Sequence, residues 1–317
     1  MMRKLAVLTA LISILFTGCA GEITNAQKHE DSALSIVCTM FPGYDWTKEI
    51  TAGQDVKLTY LLSGGIDMHN YQPSTKDMIA ISDCDLLIYV GGESETWIDN
   101  VLKESTNPDR QVIRLMDVIS DSLKEEEIKE GMQAEEEDSA YDEHIWLSVK
   151  NAETLCNAVC DTLCEIQPES AEAYQSNLNA YTQKLNALDK EFETMIEQSS
   201  MKTIVFGDRF PFLYLADDYG LDYYAAFAGC SAETEASFQT IAFLAEKLNE
   251  LNSNTIFTIE NADTSVARAV IANTESKNQQ IVELNSMQSV SQKEIAGGVS
   301  YLTIMQENFN ILKEALQ

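Results

Sequence analysis

The stretch AYQSNLNAYTQKLNALDKEFETM (residues 173–195) organises the rest of the chain. Tyr174, Leu178, Tyr181, Leu185, Leu188, Phe192 and Met195 recur at alternating spacings of four and three, with polar residues between them. That period puts one apolar stripe on a single long helix. A coiled coil is the competing reading, but about three heptads without continuation make a weak seam. A rigid helix joining two domains fits better.

Both flanks of this helix show strands alternating with helices. Before it, LSIVCTM (34–40), VKLTYLL (56–62), DLLIYVGG (85–92) and QVIRL (111–115) read as strands. A helix is expected through Trp46 to about Thr51, and another opening at Ser74, with Asp77 as its capping partner. After it, TIVF (203–206), NTIFTIE (254–260) and QIVEL (280–284) read as strands. Helices are expected at 237–251 and 264–273, and a last one carries Tyr301, Ile304, Met305, Asn308, Phe309 and Leu312 on one face. Such alternation predicts an α/β chain with two parallel-sheet lobes bridged by the long helix. The expected divisions are an N-terminal lobe over 34–165, a linking helix over 166–200 and a C-terminal lobe over 201–317.

The N-terminus, MMRKLAVLTALISILFTGCAG, has a basic start, a short apolar run and small residues around a cysteine. This is the pattern of an export signal, too short to span a bilayer as a finished helix. The ending LFTGC resembles a lipoprotein signal, which implies cleavage after residue 18 and acylation of Cys19. Residues 19–33 read as a polar tether that includes His29. The protein is therefore expected on the outer face of a bacterial cytoplasmic membrane, held by lipid alone.

Composition narrows the partners. Among 317 residues, 21 Lys and Arg stand against 51 Asp and Glu, a formal net charge of −30. Such a surface repels nucleic acid and anionic lipid and concentrates cations. Cys156, Cys160 and Cys164 recur every fourth residue, as small buried hydrophobes on one helix face do. The segment DSLKEEEIKEGMQAEEEDSAYDE (121–143) holds eleven acidic residues without an apolar period and reads as a mobile loop. No GxGxxG, P-loop, GxSxG or HExxH is present, so the common cofactor and hydrolase signatures are missing, and no enzyme is expected.

The chain has only three histidines, and two sit at informative places. His69 follows a strand's C-terminal end, where open α/β sheets bind ligands. His144 follows the acidic segment. In GGIDMHNYQPS (64–74), His69, Tyr71 and Pro73 stand in the spacing G-x-x-x-H-x-Y-x-P; DLLIYVGGESETWI (85–98) ends in Glu95-x-Trp97; DEHIWL (142–147) carries Asp142, His144 and Trp146; and residues 173–189 read AYxxNxxxYxxxLxxLD. With these motifs in this order, from Leu34 to Leu316, the chain resembles the metal-binding lipoproteins of bacterial ABC importers for zinc and manganese. The resemblance implies two α/β lobes bridged by one helix. It also implies capture of a divalent ion, Zn2+ before Mn2+, by a monomer that delivers it to a permease and its ATPase.

Two positions depart from the family pattern. Within FGDRFPFLYLADDYG (206–220), Arg209 falls where the family has a His or Glu ligand, and a guanidinium has no acceptor to offer a cation. In LNSMQS (284–289), Asn285 falls where the family has an Asp. In the first reading His69 and His144 bind the ion and a carboxylate completes the site. Asp208 leads, Glu233 and Glu235 follow, and Asn285 or water fills the remaining place. Two imidazoles and a carboxylate suit zinc, manganese or iron. Arg209 then orients a carboxylate such as Glu260 from outside. In the second reading Arg209 grips an anionic ligand or a metal chelate. A lipid-anchored adhesin or an enzyme is a third class. The metal reading is preferred.

Overall fold

A computed structural model describes residues 33–104, 106–133, 140–231 and 235–317. The expected signal, Cys19, the tether up to residue 32 and Glu233 lie outside the described residues. The first four strands are β1 (Leu34–Cys38), β2 (Val56–Tyr60), β3 (Leu86–Tyr89) and β4 (Gln111–Arg114). They form an all-parallel sheet in the order β2-β1-β3-β4. The central strands β1 and β3 are almost wholly buried, whereas β4 is mostly exposed. Continuous apolar runs in the centre and polar edges are what a parallel sheet covered on both faces demands.

The second sheet repeats the plan with β5 (Thr203–Phe210), β6 (Asp222–Ala228), β7 (Thr255–Ile259) and β8 (Gln280–Leu284) in the order β6-β5-β7-β8. Two features differ from the expectation. β5 continues past Phe206 through a register shift before Arg209, and DYYAAFA forms an unexpected strand, β6. The shift spans Gly207 and Asp208, and an added Cβ at Gly207 would lie 2.6 Å from the Ala267 Cα. Only glycine permits that approach of strand to helix.

The long helix runs from Ala171 to Gln198, 28 residues and roughly 42 Å. It buries Tyr174, Leu178, Tyr181, Leu185, Leu188, Phe192 and Met195, the stripe read from the sequence. Its first half packs on the N-terminal lobe, where Asn177 Nδ2 donates to the carbonyls of Ile50 (2.9 Å) and Ala52 (3.0 Å). Its second half packs on the C-terminal lobe, where Phe192 stacks on Tyr219 at 5.0 Å and meets Phe309 edge-on at 5.3 Å. Of the three-cysteine stripe on the preceding helix (Val149–Ile166), Cys156 and Cys160 are buried and Cys164 is half-buried; the cysteines of the described residues are free thiols.

The lobes also touch directly. Tyr60 Oη donates to the Val290 carbonyl (2.9 Å), Trp146 Nε1 to the Ser286 carbonyl (2.9 Å) and Tyr301 Oη to the Trp146 carbonyl (2.8 Å). The acidic segment, expected to be a free loop, adds to this seam in its described part. Gln133 N donates to the Ala226 carbonyl (2.9 Å) and pairs beside Phe227 at the β6 edge. Lys129 sits 4.0 Å over the Tyr223 ring and pairs with Asp222 at 2.5 Å. The two lysines in an otherwise acidic run are therefore anchors, with Lys124 Nζ 2.7 Å from Asp217. No described helix is long and apolar enough to cross a membrane.

Candidate metal centre

His69 lies in the loop after β2, on a short turn (Met68–Asn70) capped by Asp67, whose Oδ1 accepts from the His69 amide at 3.0 Å. Its Nδ1 is 2.7 Å from Ser94 Oγ, in the turn that follows β3. His144 is fully buried. Asp142 Oδ1 takes both the His144 amide (2.7 Å) and His144 Nδ1 (3.0 Å). A proton on Nδ1 satisfies that carboxylate and leaves the Nε2 lone pair free, the outer support typical of metal-ligating histidines.

The two Nε2 atoms are 3.3 Å apart. Two nitrogens about 2.05 Å from one tetrahedral zinc are separated by about 3.35 Å. The imidazoles are thus already at the spacing one ion would impose. Their pKa values are shifted in opposite directions. Burial, then the charges of His144 and Arg209, outweigh Asp67 and Gln288 and push His69 down to about 3. Burial also acts to lower His144, but Asp142, by charge and hydrogen bond, and then Glu143 overcome it and raise the pKa.

Cys230 supplies a third atom, and sequence reasoning passed it over. It sits in the turn just past the C-terminal end of β6, and its Sγ lies within 4.8 Å of both histidine nitrogens. Its amide donates to Glu126 Oε1 at 2.6 Å, so the acidic segment holds the turn. Burial, then the charges of Asp142 and Glu126, push the thiol pKa up. A fourth polar atom is Gln288 Oε1. That side chain is 2% exposed, lies against His69 and donates from Nε2 to Ser286 Oγ (2.9 Å), leaving Oε1 without a partner. Met287, at φ 64°, forces the turn that carries it.

The other candidates are engaged elsewhere. Asp208 lines the cavity of about 510 Å3 beside His69, but its oxygens accept from the amides of Arg209 (2.8 Å) and Ile259 (3.3 Å). Arg209 does not orient Glu260. It forms an ion pair with Asp67 of the opposite lobe, with side chains 14% and 20% exposed. Glu260 accepts from Ser286 N (2.7 Å) and Gln288 N (3.1 Å), and so supports the turn that presents Gln288. Asn285 is not among the residues that line the cavity. Its Oδ1 accepts from Met287 N (2.8 Å), and its amide donates to Asn308 Oδ1 (2.9 Å). Glu235 is exposed and outside the cluster of possible ligand atoms.

A family model described as zinc-uptake complex component A, periplasmic, matches residues 36–315. The zinc-binding lipoprotein AdcA of Streptococcus pneumoniae serotype 4 is 31% identical over 99% of the chain, which spans 61% of that relative. The high-affinity zinc uptake system protein ZnuA of Bacillus subtilis is 29% identical over 96% of the chain and 94% of its own length. Among solved structures, the Zn(II)-bound ZnuA-like domain of S. pneumoniae AdcA superposes with a TM-score of 0.71 at 28% identity, covering 90% of this chain and 99% of that one. The described fold and the match over residues 36–315 establish that the chain belongs to the zinc-uptake complex component A family, whose members bind solutes rather than catalyse reactions.

Proposed function

We propose that the protein captures a zinc ion between its two lobes through His69 and His144 and delivers it to an ABC importer. The carrying observation is the pair of Nε2 atoms at 3.3 Å, one on the buried ring of His144 oriented by Asp142 and the other on the half-buried ring of His69 contacting Ser94. The acidic surface raises the local concentration of cations at the cleft. The ion is released to a permease driven by its ATPase, and the chain acts as a monomer tethered through acylated Cys19. The long helix, packed on both lobes, limits closure to a small rocking motion.

The Arg209–Asp67 pair weighs against the anion or chelate reading, because the guanidinium already has a carboxylate partner. The test is metal analysis of protein purified without chelator, followed by competitive titration of zinc into wild type, His69→Ala and His144→Ala. Wild type should carry zinc and each variant should lose it. Wild-type binding weaker than about 1 μM, or variants that bind like wild type, defeats the proposal.

A further inference from the structure

The ion in this reading needs more than two imidazoles, and Asp208 and Glu260 are engaged in hydrogen bonds elsewhere. We propose that Cys230, as a thiolate, is the third ligand, with Gln288 Oε1 as the fourth, so that the site selects thiophilic ions such as zinc and cadmium over manganese. This rests on the proposed zinc capture and deepens it.

Three observations carry the assignment. First, Cys230 Sγ and one ring nitrogen each of His69 and His144 lie within 4.8 Å of one another. A tetrahedral zinc sets a nitrogen–sulfur separation of about 3.6 Å, so at most about an ångström of closure completes the contact. Second, the turn is built to stand there. An added Cβ at Gly229 would be 2.9 Å from Asp142 Oδ2 and 2.9 Å from the Phe210 carbonyl, so only glycine brings Cys230 this close to the support of His144. Glu126 Oε1 then pins the Cys230 amide at 2.6 Å. Third, the buried Gln288 side chain lies against His69 with its Oε1 lacking a hydrogen-bond partner, and its turn is held by Glu260.

The consequence is chemical selectivity and a bridge. His69 and His144 belong to one lobe, Cys230 and Gln288 to the other, so the ion ties the lobes together. On binding, the Cys230 S–H bond breaks heterolytically, the sulfur lone pair goes to the metal and the proton passes to solvent. Thiolate prefers zinc, whereas manganese prefers oxygen ligands.

Cobalt(II) titration of the metal-free, reduced protein tests the assignment. One equivalent should give visible d–d bands of a tetrahedral site and a near-ultraviolet thiolate-to-cobalt charge-transfer band. Cys230→Ser should lose the charge-transfer band and keep the d–d bands. It should also bind zinc at least about a hundredfold more weakly, a larger loss than an outer-support change gives. Tetrahedral d–d bands without charge transfer in wild type, or a charge-transfer band that survives in Cys230→Ser, overturn the Cys230 assignment and leave zinc capture standing. Absence of any cobalt spectrum, together with no zinc uptake, sinks zinc capture itself. A second readout does not depend on the variant folding: zinc should shield Cys230 of wild type from alkylation, as mapped by mass spectrometry. Equal alkylation with and without zinc overturns the proposal. In Cys230→Asp, the preference should shift towards manganese, and an unchanged zinc-to-manganese ratio counts against it.

Discussion

Replacing Asp142 measures how much of the metal affinity resides in the orientation of one ring. Asp142 Oδ1 accepts from two donors of His144, its amide at 2.7 Å and its Nδ1 at 3.0 Å, and the carboxylate is 1% exposed. In Asp142→Asn the amide hydrogen bond keeps the side-chain carbonyl in place, so Nδ1 still has an acceptor and only the negative charge is lost. In Asp142→Ala both donors lose their partner in a buried setting, and His144 is free to rotate. Loss of an outer partner typically weakens metal binding 10- to 100-fold. We expect Asn near the lower end, about 1.4 kcal/mol, and Ala near the upper, about 2.7 kcal/mol. Ala should in addition lower folding stability by roughly 1–3 kcal/mol, the cost of an unsatisfied buried amide. The assay is competition for zinc against a chromogenic chelator at neutral pH, with a denaturant titration of the metal-free proteins alongside. Superimposable zinc curves for wild type and Ala, or an Asn variant weaker than Ala, refute the orienting role.

Arg209→Leu removes a positive charge beside both histidines and breaks the ion pair with Asp67. Zinc should bind more tightly, by no more than about tenfold, while stability falls by about 1 kcal/mol, as for a partly exposed pair; weaker zinc binding contradicts this. Glu126→Ala releases the Cys230 amide and should cost about tenfold in zinc affinity. Glu126→Gln, which keeps an acceptor, should stay near wild type, and equal behaviour of the two would rule out the hydrogen bond as the cause. Asp45 is buried, its Oδ2 accepting from the Tyr301 amide (2.8 Å) and its Oδ1 lacking a hydrogen bond. Burial, against that hydrogen bond and Lys48, raises its pKa from 3.8 to about 6. The folded state therefore holds this proton more tightly than the unfolded chain. The resulting contribution is full below pH 3.8 and is lost as pH rises through 6, by about 3 kcal/mol in all. Asp45→Asn should abolish that slope in urea titrations between pH 4 and 7, and parallel profiles would show that Asp45 does not set it.

The residues at the site divide by how far their signal reaches along the chain. His69 and His144 were legible because each lies in a short motif with its supports nearby: Asp67 caps the first and Asp142 orients the second. Cys230 was not. It stands alone in a polar turn, and its nearest charged anchor, Glu126, comes from a segment whose acidity read as a solvated loop. Asn285 and Gln288 are three residues apart in one turn, and composition alone does not tell which of them lies against His69. The positive φ of Met287 and the grip of Glu260 decide that. Arg209 was read as an aid to Glu260, but the packing of one lobe on the other brings Asp67 to it instead.

By itself the sequence determined what short-range periodicity can encode. The seven-residue stripe on Ala171–Gln198, the apolar cores of β1, β3 and β7, and the Ser74–Asp77 capping box all follow from local spacing and hydrogen-bonding chemistry. Strand β6 escaped because DYYAAFA is alanine-rich and has no distinctive period, and it becomes a strand by pairing along β5. Only the tertiary structure decided which distant groups meet. The register of that parallel pair, the shift across Gly207 and Asp208 and the docking of the acidic segment together carry Cys230 to the two imidazoles. No local pattern specifies that convergence, because it depends on how two separately patterned lobes pack against one helix.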